Sequence, residues 1–358
     1  MKNQICIIIL AALALNSCNQ QPDTVENKQA QVDPVKEFAK LNAFLKKFEE
    51  PSQFFQATSD KPIKVTGKQG TIIHINAADL EMENGDPVGK DIRIELTELS
   101  TQGQLMRSNA QTVSDGQLLV SGGAYFINVT SNGQQVRLKE GKTYSAEFPN
   151  LSAEEMTLYY GERDSSESMN WKQTDKVFIM PEPTMDSDKE YSAVIVTGKG
   201  RFTDTSIVPM KNTSKEEYAK IKKEATIKSK VYGPAAIDKF GWINCDRLFK
   251  PDAPRTNLQF AITNKAEEAN FVNVYLIFQE IKSVTSESYF KLGDTIEGNS
   301  FDNVPVGMTV RFLAVCYQNE KILATLSDIM PVKENHNEML TLQEMSEEDF
   351  DKLMRKVE

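Results

Sequence analysis

Apolar and polar residues alternate along much of this chain, and tight-turn dipeptides cut the alternation at short intervals. Ile92, Ile94 and Leu96 alternate with Asp91, Arg93, Glu95 and Thr97. The same beat runs through Tyr125, Ile127 and Val129, then Val136 and Leu138, then Tyr144, Ala146 and Phe148. Successive side chains of a strand point to opposite faces, so a period of two predicts half-buried strands. Asn84-Gly85, Asp115-Gly116, Gly122-Gly123, Asn132-Gly133 and Glu140-Gly141 lie between the runs. Residues that tolerate positive φ belong in tight hairpins. Short strands at this spacing predict a β-sandwich-like domain over residues 53–200, with 151–200 as an extension of shorter strands.

A second β-rich region opens at Phe240. Val272, Val274, Leu276 and Phe278 alternate, as do Val310, Phe312, Ala314 and Cys316, which turns Cys316 toward the same face as the apolar set. Between the two regions, Ser214-Lys215-Glu216-Glu217 fits a capping box, and the Lys/Glu-rich stretch to Val231 predicts a connecting helix with a solvated face. Asp33 and Pro34 open another helix, as N-cap and first helical residue. Val35, Phe38, Leu41, Leu45 and Phe48 give it one apolar face, and Pro51 stops it. That face is expected to pack on the domain that follows. Ser346 caps a final helix carrying Phe350, Leu353, Met354 and Val357. The predicted fold class is mainly β: two β-sandwich-like domains, 53–200 and 240–345, joined by a helical connector over 201–239, with short N-terminal (18–52, with its tether) and C-terminal (346–358) helices.

The first residues bear on location. Lys2 is followed by an unbroken apolar run, Ile5 to Leu15, which Asn16, Ser17 and Cys18 close. A charged start, a short apolar stretch and a small-residue end describe a secretory signal. The run is about half of what a transmembrane helix needs. It resembles a bacterial lipoprotein signal with its lipobox. The resemblance implies removal of residues 1–17, lipidation of Cys18 by more than one acyl chain, and a place in the cell envelope, on an outer membrane facing either the periplasm or the outside. Residues 19–31 then read as a polar tether.

Charge narrows the partners. The formal net charge is −10, and losing Lys2 with the signal makes it −10 − 1 = −11. An acidic chain repels phosphate backbones and anionic headgroups, so no nucleic-acid partner is expected and membrane attachment must come from the lipid anchor. Of the four cysteines, Cys6 leaves with the signal and Cys18 takes lipid. Cys245 and Cys316 remain, and an exported compartment permits a disulfide between them; two separate buried thiols are the other reading.

Three runs carry a wider resemblance. They are Gly67-Lys68-Gln69-Gly70-Thr71-Ile72-Ile73-His74-Ile75 with Gly89 to Leu96; Thr112 to Leu119 with Ser121-Gly122-Gly123; and Leu158-Tyr159-Tyr160-Gly161-Glu162 with Trp171 and the later Gly241 to Arg247. Together these resemble a group of bacterial envelope lipoproteins whose first domain is similar to the β-sandwich module of ankyrins and netrin receptors. Some proteins with that module cut themselves at a His-Phe-Ser site. Here Ile75 follows His74 and Asn337 follows His336, so that activity is not carried over. In relatives without cleavage the module docks proteins, which implies an interaction role.

Residue chemistry singles out no catalytic set, and no cofactor is predicted. His74 points away from Ile73 and Ile75, and His336 sits in a polar stretch. Asp79, Glu81, Glu83 and Asp86 surround a turn, but Gly85 stands one place late for an EF-hand loop, so no metal is assigned. Gly67 to Thr71 lacks P-loop spacing and reads as a turn. Trp171 follows a polar loop and Trp242 reads as an aromatic at the domain join; either offers a surface for sugars. The expected function is a non-catalytic binding or scaffolding role, with an envelope protein or glycan as partner. The candidate surface is Asp115, Gly116, Gly122, Gly123 and Trp171. The alternatives are a carboxylate-dependent envelope hydrolase, with two acids flanking a cleft, and a glycan-binding accessory protein.

Overall fold

The expected helix forms because its first turn is capped twice over. Asp33 accepts a hydrogen bond from the Lys36 amide at 3.3 Å, and Pro34 occupies the first turn of α1 (Pro34–Leu45). Pro lacks an amide that would be orphaned there anyway. These coordinates are a computed structural model that describes residues 33–149, 155–164, 167–178, 192–197, 204–209, 235–263, 269, 271–292 and 295–357. The expected signal, lipobox cysteine and tether, and the helix expected after Ser214, lie outside the described residues.

Val32–Glu358 group as one unit built in β layers. The innermost sheet of the first sandwich runs, by neighbours, Gln53–Thr58, Asp91–Leu99, Gln117–Ser131, Gly241–Leu248, Met156–Arg163 and Met169–Phe178. One of its faces packs on a second sheet of Ala235–Ile237, Tyr144–Glu147, Ile72–Ile75 and Ile63–Thr66. Ile92, Ile94, Leu96, Tyr125, Ile127 and Val129 all enter that core, as their alternation requires. The domain boundary placed at residue 240 moves. Gly241–Leu248 is a central strand of the first sandwich, antiparallel to both Gln117–Ser131 and Met156–Arg163.

The second sandwich has the same plan. Val284–Leu292, Phe271–Phe278, Thr309–Gln318 and Lys321–Leu326 are successive neighbours in one sheet, and Ser300–Pro305, Arg255–Thr263 and Asn337–Thr341 form the other. Val272, Val274, Leu276, Val310, Phe312, Ala314 and Cys316 fill the core between them.

A third core lies where the sandwiches meet. It takes Leu99, Ala124, Tyr159 and Trp171 from the first and Phe271, Tyr275, Leu313 and Val315 from the second. Phe271–Phe278 is consequently buried on both faces rather than half-buried. Three helices seal this core: α1, α2 (Gln102–Arg107) and α3 (Glu347–Arg355). Helix α1 does pack, in the core that both sandwiches share, and its ring contacts are with the second. Phe44 stacks on Tyr317 with centroids 4.3 Å apart, and Phe38 meets Phe271 edge-on at 6.1 Å. Val35, placed on the apolar face by spacing, is 53% exposed. In α3, Ser346 accepts from the Asp349 amide at 3.1 Å as expected, and Phe350 and Met354 turn inward. Among the described residues, no helix is long and apolar enough to cross a membrane.

Candidate functional site

The join is held by polar contacts as well as by its core. The Gln102 side-chain amide donates to the carbonyls of Phe278 and Ser283, both at 2.7 Å, and so grips the turn between two strands of the second sandwich. Gln102 is placed by a capping box in which Thr101 and Gln104 satisfy each other's backbone. The Thr112 amide donates to the Val284 carbonyl at 2.8 Å, and the Ser121 amide to the Lys282 carbonyl at 2.9 Å. Behind these contacts sits Asp246, fully buried. Its carboxylate accepts from the Gly122 amide at 3.3 Å and the Asn244 side chain at 2.6 Å. Burial pushes the Asp246 carboxyl up, against the pull of Ser121, Gly122, Lys282 and Asn244. Burial likewise lowers the neighbouring Lys282 to about 8.

Beside this join, a groove of about 550 Å³ opens between the sandwiches. One wall is the hairpin Val113–Ser114 and Gln117 onward, whose turn is Asp115-Gly116. Both turn residues have positive φ, 46° and 76°, which a tight hairpin needs and which glycine supplies without strain. Asn170 accepts from the Asp115 amide at 2.9 Å and donates back to its carboxylate at 3.0 Å; Lys172 pairs with the same oxygen at 2.5 Å. The hydrogen bond from Asn170, then Lys172, hold the Asp115 carboxyl below its usual range. The floor is Leu276, Phe278 and Phe301, and the far wall carries Glu287 and Asp302. The Glu287 side chain is exposed, and its carboxyl is pushed up, first by partial loss of water and then by the charge of Asp302.

The remaining sequence candidates fare differently. Gly122 and Gly123 do not form a loop; both are buried inside the strand Gln117–Ser131. A side chain on Gly123 would start 2.6 Å from the Tyr125 hydroxyl, so the glycine makes room within the sheet. Trp171 offers no surface either. It is fully buried at the join, and its ring N–H donates to the Gln111 carbonyl at 2.7 Å. Trp242 is half-buried, with Phe126 at 5.3 Å between centroids and the Arg163 guanidinium 5.2 Å from its ring. Arg163 in turn donates to the carbonyls of Ser108, Asn109 and Glu167, closing the C-terminal end of α2. Cys245 and Cys316 are free and buried in the two outer cores, with the central core between them, so no disulfide joins them.

The turn from Gly67 to Thr71 holds a carboxylate side chain of the protein's own. Glu98, 2% exposed, accepts from the amides of Gln69 at 2.9 Å and Thr71 at 3.1 Å. His74 lies 3.4 Å from Glu147 on the outer sheet. In the acidic turn, Asp79 pairs with Lys142 at 3.3 Å and Glu81 with Arg137 at 2.9 Å. Among the described residues, no group of three His, Cys, Asp or Glu is arranged to hold a metal ion.

Compared with known families and with curated proteins, the chain matches none. The groove therefore has to be read from its own chemistry. Gly116 was legible as a turn beside a surface, whereas Phe278, Glu287, Phe301 and Asp302 were not. Those four come from three strands of the second sandwich, and only the tertiary fold brings them opposite the hairpin.

Proposed function

We propose that this chain is a lipid-anchored cell-envelope protein with a non-catalytic binding or scaffolding role, and that the groove between its sandwiches is the recognition surface. The observation that carries this reading is that both sandwiches build the groove while a shared core and the Gln102 clamp fix them together. A preformed concave site loses little freedom when a partner binds. The polar tether and the acyl-anchored Cys18 that the lipobox resemblance implies would hold such a body at a membrane and let it reach.

Two experiments test the two halves of this proposal. Cys18→Ala should move the protein from the membrane fraction to the soluble one; continued sedimentation with membranes refutes lipidation. For the groove, Gln117→Trp places an indole at its exposed rim. Quantitative cross-linking in intact cells should lose partners with this variant and keep them with Lys321→Glu, on a strand away from the groove. Identical partner sets for both variants refute the assignment of the groove.

One observation favours a second reading. Glu287, its carboxyl raised, faces the charge of Asp302 in a cleft, and a raised acid beside a second carboxylate is how glycosides are hydrolysed. Turnover of fluorogenic glycosides that disappears in Glu287→Gln would support it. Equal turnover by the variant would refute it.

A further inference from the structure

We infer that a cavity between α1, α2 and Trp242 binds a small zwitterion, an aliphatic α-amino acid, with its carboxylate on the guanidinium wall and its ammonium on Glu49. The cavity lies apart from the groove and shares no lining residue with it. Its volume is about 190 Å³, below the range of about 300–1,000 Å³ that holds larger ligands. A peptide or a glycan chain does not fit such a space, whereas a single amino acid does. The inner wall is built from polar side chains that the fold has already taken out of water. Asn42 of α1, Arg107 of α2 and Asn109 just after it are 7%, 5% and 5% exposed. Lys46 and Glu167, both exposed, mark the mouth.

Both signs of charge line this space. A guanidinium carries its N–H donors in a rigid planar fork. Arg163 donates from Nη1 to the carbonyls of Asn109 at 3.1 Å and Glu167 at 2.6 Å, and from Nη2 to that of Ser108 at 2.8 Å. These bonds fix the fork. Its Nε and the second Nη2 hydrogen make no hydrogen bond among the described residues, which leaves donors enough for a carboxylate. Glu49, half-buried, makes no side-chain hydrogen bond or ion pair among the described residues. Burial pushes its carboxyl up, against the pull of Lys46 and Arg163. An acid and a guanidinium that line one cavity without pairing are satisfied together by the two ends of a zwitterion. An anion alone would be repelled by Glu49, and a cation alone by Arg107 and Arg163. An α-amino acid carries both charges on one carbon. The Trp242 ring on the remaining side favours an apolar side chain on the ligand.

The test titrates the detergent-solubilised full chain by isothermal calorimetry at neutral pH with three probes. L-leucine has both charges, leucinamide the ammonium alone and N-acetylleucine the carboxylate alone. Leucine should bind about tenfold tighter than either analogue. Glu49→Gln should weaken leucine about tenfold and not weaken N-acetylleucine, while its urea midpoint stays that of the parent. Gln117→Trp, which fills the groove and leaves this cavity alone, should bind leucine as the parent does. Equal binding of the three probes, tightest binding of either analogue, no binding of leucine, or loss of leucine binding in Gln117→Trp overturns the inference.

Discussion

Truncating Trp171 to alanine removes an indole from the core that joins the sandwiches. The side chain is fully buried, and its N–H donates to the Gln111 carbonyl at 2.7 Å. Deleting a buried tryptophan costs about 3–5 kcal/mol through lost transfer energy and the cavity left behind. Leaving the Gln111 carbonyl without its donor adds about 1 kcal/mol. The sum, about 4–6 kcal/mol, approaches the whole stability of many folded proteins, about 5–15 kcal/mol. Trp171→Phe keeps most of the apolar contact and should lose only about 1–3 kcal/mol. Urea unfolding followed by far-UV circular dichroism measures both. The second tryptophan permits a further check, because Trp242→Phe leaves Trp171 as the sole indole. Its emission should be blue-shifted and resist acrylamide quenching until the protein unfolds. If both Trp171 variants stay within about 0.5 kcal/mol of the parent, the range of an ordinary surface change, the buried join described above is wrong.

Two other expectations concern buried titratable groups. Burial raises the Asp246 carboxyl, so its contribution favours the fold most below the ordinary aspartate pKa, about 3.9, and is lost as pH rises through the folded value. Asp246→Asn is neutral throughout, so its urea midpoint should improve relative to the parent as pH rises above the ordinary aspartate pKa, about 3.9; a difference that stays constant as pH rises from there refutes the raised carboxyl. The thiols of Cys245 and Cys316 are pushed up by burial, the second to about 12. Maleimide should label neither in the native protein and both in urea, with no reductant needed; labelling of either native thiol contradicts its burial.

Local signals in the sequence were legible where local physics decides. Asp33-Pro34 and Ser346 cap their helices, and Ile92, Ile94 and Leu96 enter one core because a strand's two faces meet different surroundings. The errors arise where distant residues decide. Polar neighbours made Trp171 look exposed, yet Gln111 and the second sandwich bury it. The Gly122-Gly123 pair has turn composition, but the Tyr125 hydroxyl explains why a strand keeps a glycine there. In Phe271–Phe278 the alternation of Val272, Val274, Leu276 and Phe278 was only half the signal. Phe271, Tyr275 and Ile277 occupy the other face, and a continuous apolar run marks a strand covered on both sides. The groove was the least legible feature, since no periodicity relates Gly116 to Glu287 or Asp302.

The docking of α1 on the second sandwich has a consequence for how the protein folds. Phe44 meets Tyr317 and Phe350, and Lys47 pairs with Glu347, 300 positions further along the chain. A chain emerging from its amino end makes the helix long before the residues that cover it exist. The outer cores can condense region by region, but the central one has to wait for the last segment to arrive. Contacts of such long sequence separation close slowly. Until they do, Phe38, Leu41 and Phe44 stay open to water, a sticky interval that a holdase would shorten or shield.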